Sequence, residues 1–321
     1  MHQSYKIVII SLFCLTCGVF IGYRFPKSTD SSFQETHNQT STKRFKYISP
    51  LLVCGNPASN SLGNLKKQVH QVIDKQTQVS HVSVYFRDLN NGPWFGINEN
   101  ELFSPASLVK VPLAIALYKQ SEADPNLLSQ TLINDQIDSN EEQNIKPDQT
   151  IVPNQEYTID NLIENMIVYS DNNAYEILSD FVDQNILIQT YTDLGIDISK
   201  AINNPAGDIL SVRNYASFFR ILFNSSYLNQ QMSNKLLSLL TQVTYKKALV
   251  AGIGSQVEVA HKFGERRFLG SNELQLHDCG IVYKPNKPYL ICIMTRGSNF
   301  DHLNQAIKLI SSTIFQYWQK I

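Results

Sequence analysis

Strand-forming sequence occurs in two blocks, one on either side of a long helical stretch, and this split most constrains the fold. The first block, "HVSVYFRDLNNGPWFGINEN" at residues 81–100, reads as a hairpin: Val82, Val84 and Phe86 alternate, Asn-Asn-Gly makes the turn, and a second strand surrounds Trp94 and Phe95. From residue 104 to about 249 the chain reads as mostly helical. Thr158 is placed to cap a helix carrying Ile159, Leu162, Ile163, Met166 and Ile167, and further helices fit residues 174–182, 211–223 and 231–241. Strand signals return in "QVEVAHKFGE", "ELQLHDCGIVY" and "PYLICIMTRG", the last two joined by the turn "KPNKP". Amphipathic helices flank the whole: Leu65, Val69, Val72 and Ile73 mark one, and Leu303, Ile307, Ile310, Ile314 and Trp318 mark the other. The expected class is α+β, a five-stranded antiparallel sheet flanked by N- and C-terminal helices, with an inserted all-helical subdomain. The sheet part spans about 60–103 and 250–321, and the insertion about 104–249.

The segment before this pattern has another character. Residues 7–23, "IVIISLFCLTCGVFIGY", carry no charge and lie between Lys6 and Arg24, and no A-x-A-like cleavage site follows. Residues 1–23 are therefore expected to form an uncleaved membrane anchor or signal segment, 24–48 a flexible Ser/Thr/Gln-rich linker, and 49–321 an extracytoplasmic folded domain. A net charge of −1 and the lack of basic–aromatic runs argue against nucleic-acid partners. Cys14 and Cys17 fall in the apolar segment. Cys54, Cys279 and Cys292 remain, an odd number that defines no disulfide framework, so Cys279 and Cys292 are expected as buried free thiols even if their strands are neighbours. With no H-E-x-x-H and no Cys/His spacing, neither a metal nor a cofactor is expected.

The chemistry concentrates in three short motifs. "FSPASLVKVPLAIALYK" holds the single S-x-x-K of the chain, Ser107 and Lys110, about one helical turn apart at the start of an apolar helix. A lysine in such surroundings loses proton affinity, and a neutral amine beside a serine hydroxyl can take its proton. A helix start also offers the backbone N–H of Ser107 to a developing oxyanion. "MIVYSDNNAYEIL" brings Ser170, Asp171 and Asn172, and "VEVAHKFGE" brings Lys262, Phe263 and Gly264 on a strand. Taken singly, these are an ordinary helix start, a turn or cap, and a solvated strand lysine with a bulge glycine. Their order and placement together carry the assignment. His261 points to the opposite sheet face from Lys262 and is expected to be structural.

With S-x-x-K, S-D-N and a Lys-x-Gly strand in this order, the chain resembles the penicillin-recognising serine hydrolases, above all the class A β-lactamase-like branch, over residues 60–321. The resemblance implies acylation of Ser107, with Lys110 as base or electrostatic partner. It implies proton transfer by Ser170, positive potential from Lys262, and positioning of Lys110 or substrate by Asn172. The oxyanion falls between the N–H groups of Ser107 and Glu265, with Gly264 leaving room for the acyl chain. The implied substrates are β-lactams or, alternatively, D-Ala-D-Ala-type peptidoglycan stem peptides; a catalytically inactive wall-binding domain is a third reading. The catalytic domain is expected to be monomeric. Two departures stand out. Phe263 replaces the hydroxyl residue of the family's Lys-Thr-Gly element. The stretch "DFVDQNILIQTYTDLGIDISKAINNPAGDIL" contains no glutamate to activate a deacylating water, which leaves Asp208 as the nearest carboxylate, a residue whose surroundings suit a turn or cap better.

Overall fold

The structure is a computed structural model and describes residues 61–90, 92–134, 139–196, 207–268 and 270–320. The anchor and linker expected at 1–48 lie outside these residues, as do residues 49–60. Among the described residues, no helix is long and apolar enough to cross a membrane.

Helix α1 (Ser61–Ile73) leads into β1 (Val79–Asp88) and β2 (Trp94–Ile97). A 3-10 turn (Ala106–Val109) continues into α2 (Lys110–Ala123), followed by β3 (Thr131–Ile133), β4 (Glu156–Thr158), α3 (Ile159–Glu164) and a π-helical turn (Asn165–Tyr169). Then come α4 (Asn172–Phe181), α5 (Gln184–Asp193), α6 (Val212–Asn224) and α7 (Gln230–Thr241). The chain closes with β5 (Val259–Arg267), β6 (Leu274–Val282), β7 (Tyr289–Gly297) and α8 (Phe300–Lys320).

The main sheet runs β2-β1-β7-β6-β5, antiparallel throughout, so strands from both ends of the sequence meet at the β1–β7 pairing. Thr158 caps α3 as expected, its hydroxyl accepting from the Asn161 N–H at 3.1 Å. The insertion is not wholly helical: β3 and β4 pair through Thr131 and Thr158 in a short two-stranded ladder. Three-residue strands with mixed polarity leave too short a period to read in advance.

Alternation along β1 separates two cores. Val82, Val84 and Phe86 face α1 and α8, burying Leu65, Val69, Leu303, Ile307, Ile310 and Ile314 between them. Tyr85 faces the opposite side, where Ala260, Ile281 and Met294 pack against the helical insertion. Helix α2 runs through that second core, with Val111, Leu113, Ala114, Ile115, Leu117 and Tyr118 all buried. Apolar on every side, it is a central helix that needs no polar face. Pro112 falls in its first turn, where no intrahelical N–H partner is forfeited.

Cys279 and Cys292 are directly opposite in the β6–β7 register and form a disulfide, which corrects the expectation of free thiols. Cysteine count could not show this, because the pairing depends on a strand register that only the folded sheet supplies.

Candidate active site

The site lies where α2, the π-turn, α4 and β5 meet. Lys110, the first residue of α2, is 1 % exposed, and its Nζ donates to the Ser170 carbonyl at 2.7 Å, to Asn172 Oδ1 at 2.7 Å and to Ser170 Oγ at 3.3 Å. From the sheet side, Lys262 Nζ, fully buried, donates to the same Ser170 Oγ at 2.9 Å and to the Phe263 carbonyl at 3.2 Å. One serine hydroxyl thus bridges two buried amines. Burial lowers the Lys110 pKa from 10.5 to about 7, partly offset by Asp171, Glu265 and Glu176. Burial pushes Lys262 well below the ordinary lysine range, and the charge of Lys110 pushes the same way. The two ammoniums therefore disfavour one another, which makes a neutral amine available near neutral pH.

Ser107 lies in the 3-10 turn and lines, with Lys110 and Asn172, an open cleft of about 780 Å³. It is partly exposed. The structure thus brings Lys110, Ser170, Asn172 and Lys262 into one hydrogen-bonded chain and places Ser107 on the wall of the same cleft, one turn from Lys110. Gly264 passes against the 3-10 turn so closely that a Cβ there meets the Pro105 carbonyl at 3.1 Å and the Leu108 nitrogen at 3.2 Å. Two positions at the site have left-handed backbone without being glycine: Ala106, just before Ser107, at φ 47° and Ser170 at φ 61°. Such conformations cost about 1–2 kcal/mol each and persist only where the surroundings impose them. The π-turn ending at Ser170 is of the same kind, a local irregularity that aims a side chain.

Asp171 supports this geometry from behind. Fully buried, it caps α4 through the Asn173 N–H at 2.9 Å and accepts from Asn140 Nδ2 and the Ile151 N–H, both at 2.8 Å, which ties residues 139–151 to the S-D-N turn.

Glu265 departs from a simple strand position. Its carboxylate accepts from the Asn144 N–H at 2.7 Å, Asn144 Nδ2 at 2.8 Å and the Ile145 N–H at 3.2 Å, while Arg267 Nε donates to Asn144 Oδ1 at 3.0 Å. A strap from the 139–146 segment is thereby fastened to β5 beside Ser107. Phe263 does not line the cleft but stacks on Tyr245, ring centroids 4.1 Å apart, with the Lys262 ammonium 4.3 Å over its ring. His261 occupies the same sheet face as Phe263, its Nδ1 2.8 Å from Asp278 Oδ1, in the structural role expected of it.

Asp208, the nearest carboxylate in sequence, lies away from the cleft. Its carboxylate accepts from Arg296 Nη2 at 2.9 Å and Gln275 Nε2 at 3.2 Å. Two carboxylates do line the cleft: Glu265, held by the strap, and Glu176, which the three motifs do not include. Asn172, Tyr175 and Glu176 sit at i, i+3 and i+4, one face of α4, and this spacing was the available signal.

Residues 64–318 match the model of the Beta-lactamase enzyme family. The chain belongs to that family and is a serine β-lactamase-like hydrolase. Among solved structures, PBP-A matches with a TM-score of 0.67 at 24 % identity, covering 84 % of this chain and 100 % of its own. A mutant of PBP-A in an acyl-enzyme complex with penicillin G gives 0.68 at 22 %, with the same coverage. A class A β-lactamase from Bacteroides cellulosilyticus gives 0.68 at 16 %, covering 81 % of this chain and 99 % of its own. At these identities the likeness establishes the fold alone. No curated protein sequence matches.

Proposed function

We propose that the protein opens β-lactam amides through an acyl-Ser107 intermediate and releases the product slowly. The observation that carries this reading is the buried Lys110 amine, with a pKa near 7, one turn from a cleft-lining serine and bonded to Ser170 and Asn172. In this reading a neutral Lys110 accepts the Ser107 proton as Oγ attacks the carbonyl carbon. The N–H groups of Ser107 and Glu265 stabilise the oxyanion, and Gly264 leaves the acyl chain room against β5. As the C–N bond breaks, Ser170 delivers a proton to the departing nitrogen, replenished through its contacts with Lys110 and Lys262. Lys262 supplies positive potential for an anionic substrate group.

Slow release follows from the missing base. Residues 180–210 contain no glutamate, and Asp208 is engaged by Arg296. That observation also favours a second reading, a D,D-peptidase that β-lactams inhibit by stable acylation. In either case residues 7–23 would hold the exported domain at a membrane. Intact mass of the protein followed over time after mixing with penicillin, together with hydrolysis of a chromogenic cephalosporin, separates the readings. Repeated turnover supports the lactamase, whereas a stoichiometric burst with a persistent adduct supports the peptidase. Absence of any adduct, or an adduct surviving in Ser107→Ala, overturns both.

A further inference from the structure

A second cavity, of about 460 Å³, lies between the outer edge of the sheet and α6, on residues unconnected with the serine cleft. Among the described residues three arginines line it and no carboxylate does: Arg87 from β1, and Arg213 and Arg220 from α6. In a chain of net charge −1, a site with three cations and no acid is a local reversal. The ion pairs between described residues lie elsewhere, so no described carboxylate neutralises these guanidiniums. The cavity also has a rigid wall. Trp94, directly opposite Arg87 in the β1–β2 register, stacks on Tyr85 with centroids 5.5 Å apart, and the Arg213 guanidinium lies 5.2 Å over the Trp94 ring. Stacking orients that guanidinium and leaves its N–H edge free to bind. Arg213, Ser217 and Arg220 follow at i, i+4 and i+7 along one helix face, which sets the Cα atoms of the two arginines roughly 10 Å apart along the axis.

We propose that this cavity binds a ligand carrying two or more phosphate groups in a chain. Planar guanidiniums pair bidentately with phosphate oxygens. A phosphate also offers more acceptors and charge than a carboxylate to a site whose donors are arginines. The separation of Arg213 and Arg220 selects an extended ligand over a single ion, because the second contact forms at high effective concentration once the first is made.

The test exploits the placement of Trp94, 40 % exposed, against the buried Trp318, the only other tryptophan. The full-length protein is titrated at low salt with linear polyphosphate, orthophosphate and citrate, following tryptophan emission. Polyphosphate is expected to change the emission saturably and more tightly than orthophosphate or citrate, with the response absent in Trp94→Phe. In the double variant R213Q/R220Q its affinity should fall about tenfold or more, while cephalosporin reactivity and circular dichroism stay at the parent level. The variant pair K66Q/K67Q on α1 should leave affinity unchanged. Should the double variant fail to fold, the exposed Arg220→Gln alone is used, with a smaller loss expected. Equal polyphosphate affinity in the arginine variants and parent, citrate binding as tightly as polyphosphate, or no saturable binding overturns the proposal.

Discussion

Lys110 shows how one residue links burial to reactivity. Folding lowers its proton affinity, so between about pH 7 and its ordinary 10.5 the unfolded chain binds more protons than the folded one. The contribution of Lys110 to stability therefore rises with pH across that window and is least favourable below 7. The same titration sets reactivity: the acylation rate should climb with pH and level off above an apparent pKa near 7. Glu265 and Glu176 both raise the Lys110 pKa through their charges, so E265Q and E176Q should shift that limb to lower pH. A limb unmoved in both, measured by stopped-flow acylation from pH 5 to 9, would count against Lys110 as its origin. Ala106 makes a separate residue-scale prediction. At φ 47° it bears a left-handed penalty that glycine escapes, so A106G should stabilise the protein by roughly 0.5–1 kcal/mol after the added unfolded-chain entropy, read as a rise in Tm.

At the scale of elements, β5 sets the width of the cleft. It lies against the 3-10 turn through Gly264 and holds the 139–146 strap through Glu265. In G264V the branched side chain meets Pro105 and Leu108, whose backbone cannot yield without moving Ser107. Acylation should slow by about tenfold or more with a smaller change in Tm, since misplacing a nucleophile costs more in rate than in stability. Asn144→Ala removes side-chain contacts to Glu265 and Arg267 and leaves the catalytic groups in place. It should speed acylation by bulky cephalosporins relative to small penicillins, and an unchanged ratio of the two rates would show that the strap does not limit entry.

Across the whole molecule, the disulfide joins the adjacent strands β6 and β7, and Cys279 is the register partner of Lys262. Closing a short loop in the unfolded chain is worth about 3 kcal/mol. C279A/C292A should lose about that much, measured by denaturant unfolding, and reduction of the parent should lower Tm in the same direction. A loss under about 1 kcal/mol would mean that packing around the site, and not the crosslink, secures β6 to β7.

Hydropathy period and motif order by themselves determined the class of this protein. Alternation at Val82, Val84 and Phe86, the stripe from Leu303 to Trp318, and the order of Ser107, Ser170 and Lys262 are local properties that survive in a one-dimensional string. The Cys279–Cys292 bond, the strap from Asn144 to Glu265, the engagement of Asp208 by Arg296 and the place of Glu176 in the cleft belong to tertiary structure. Each depends on which distant backbones come within a few ångströms of one another, and strand register and loop path decide that through the packing of both sheet faces at once.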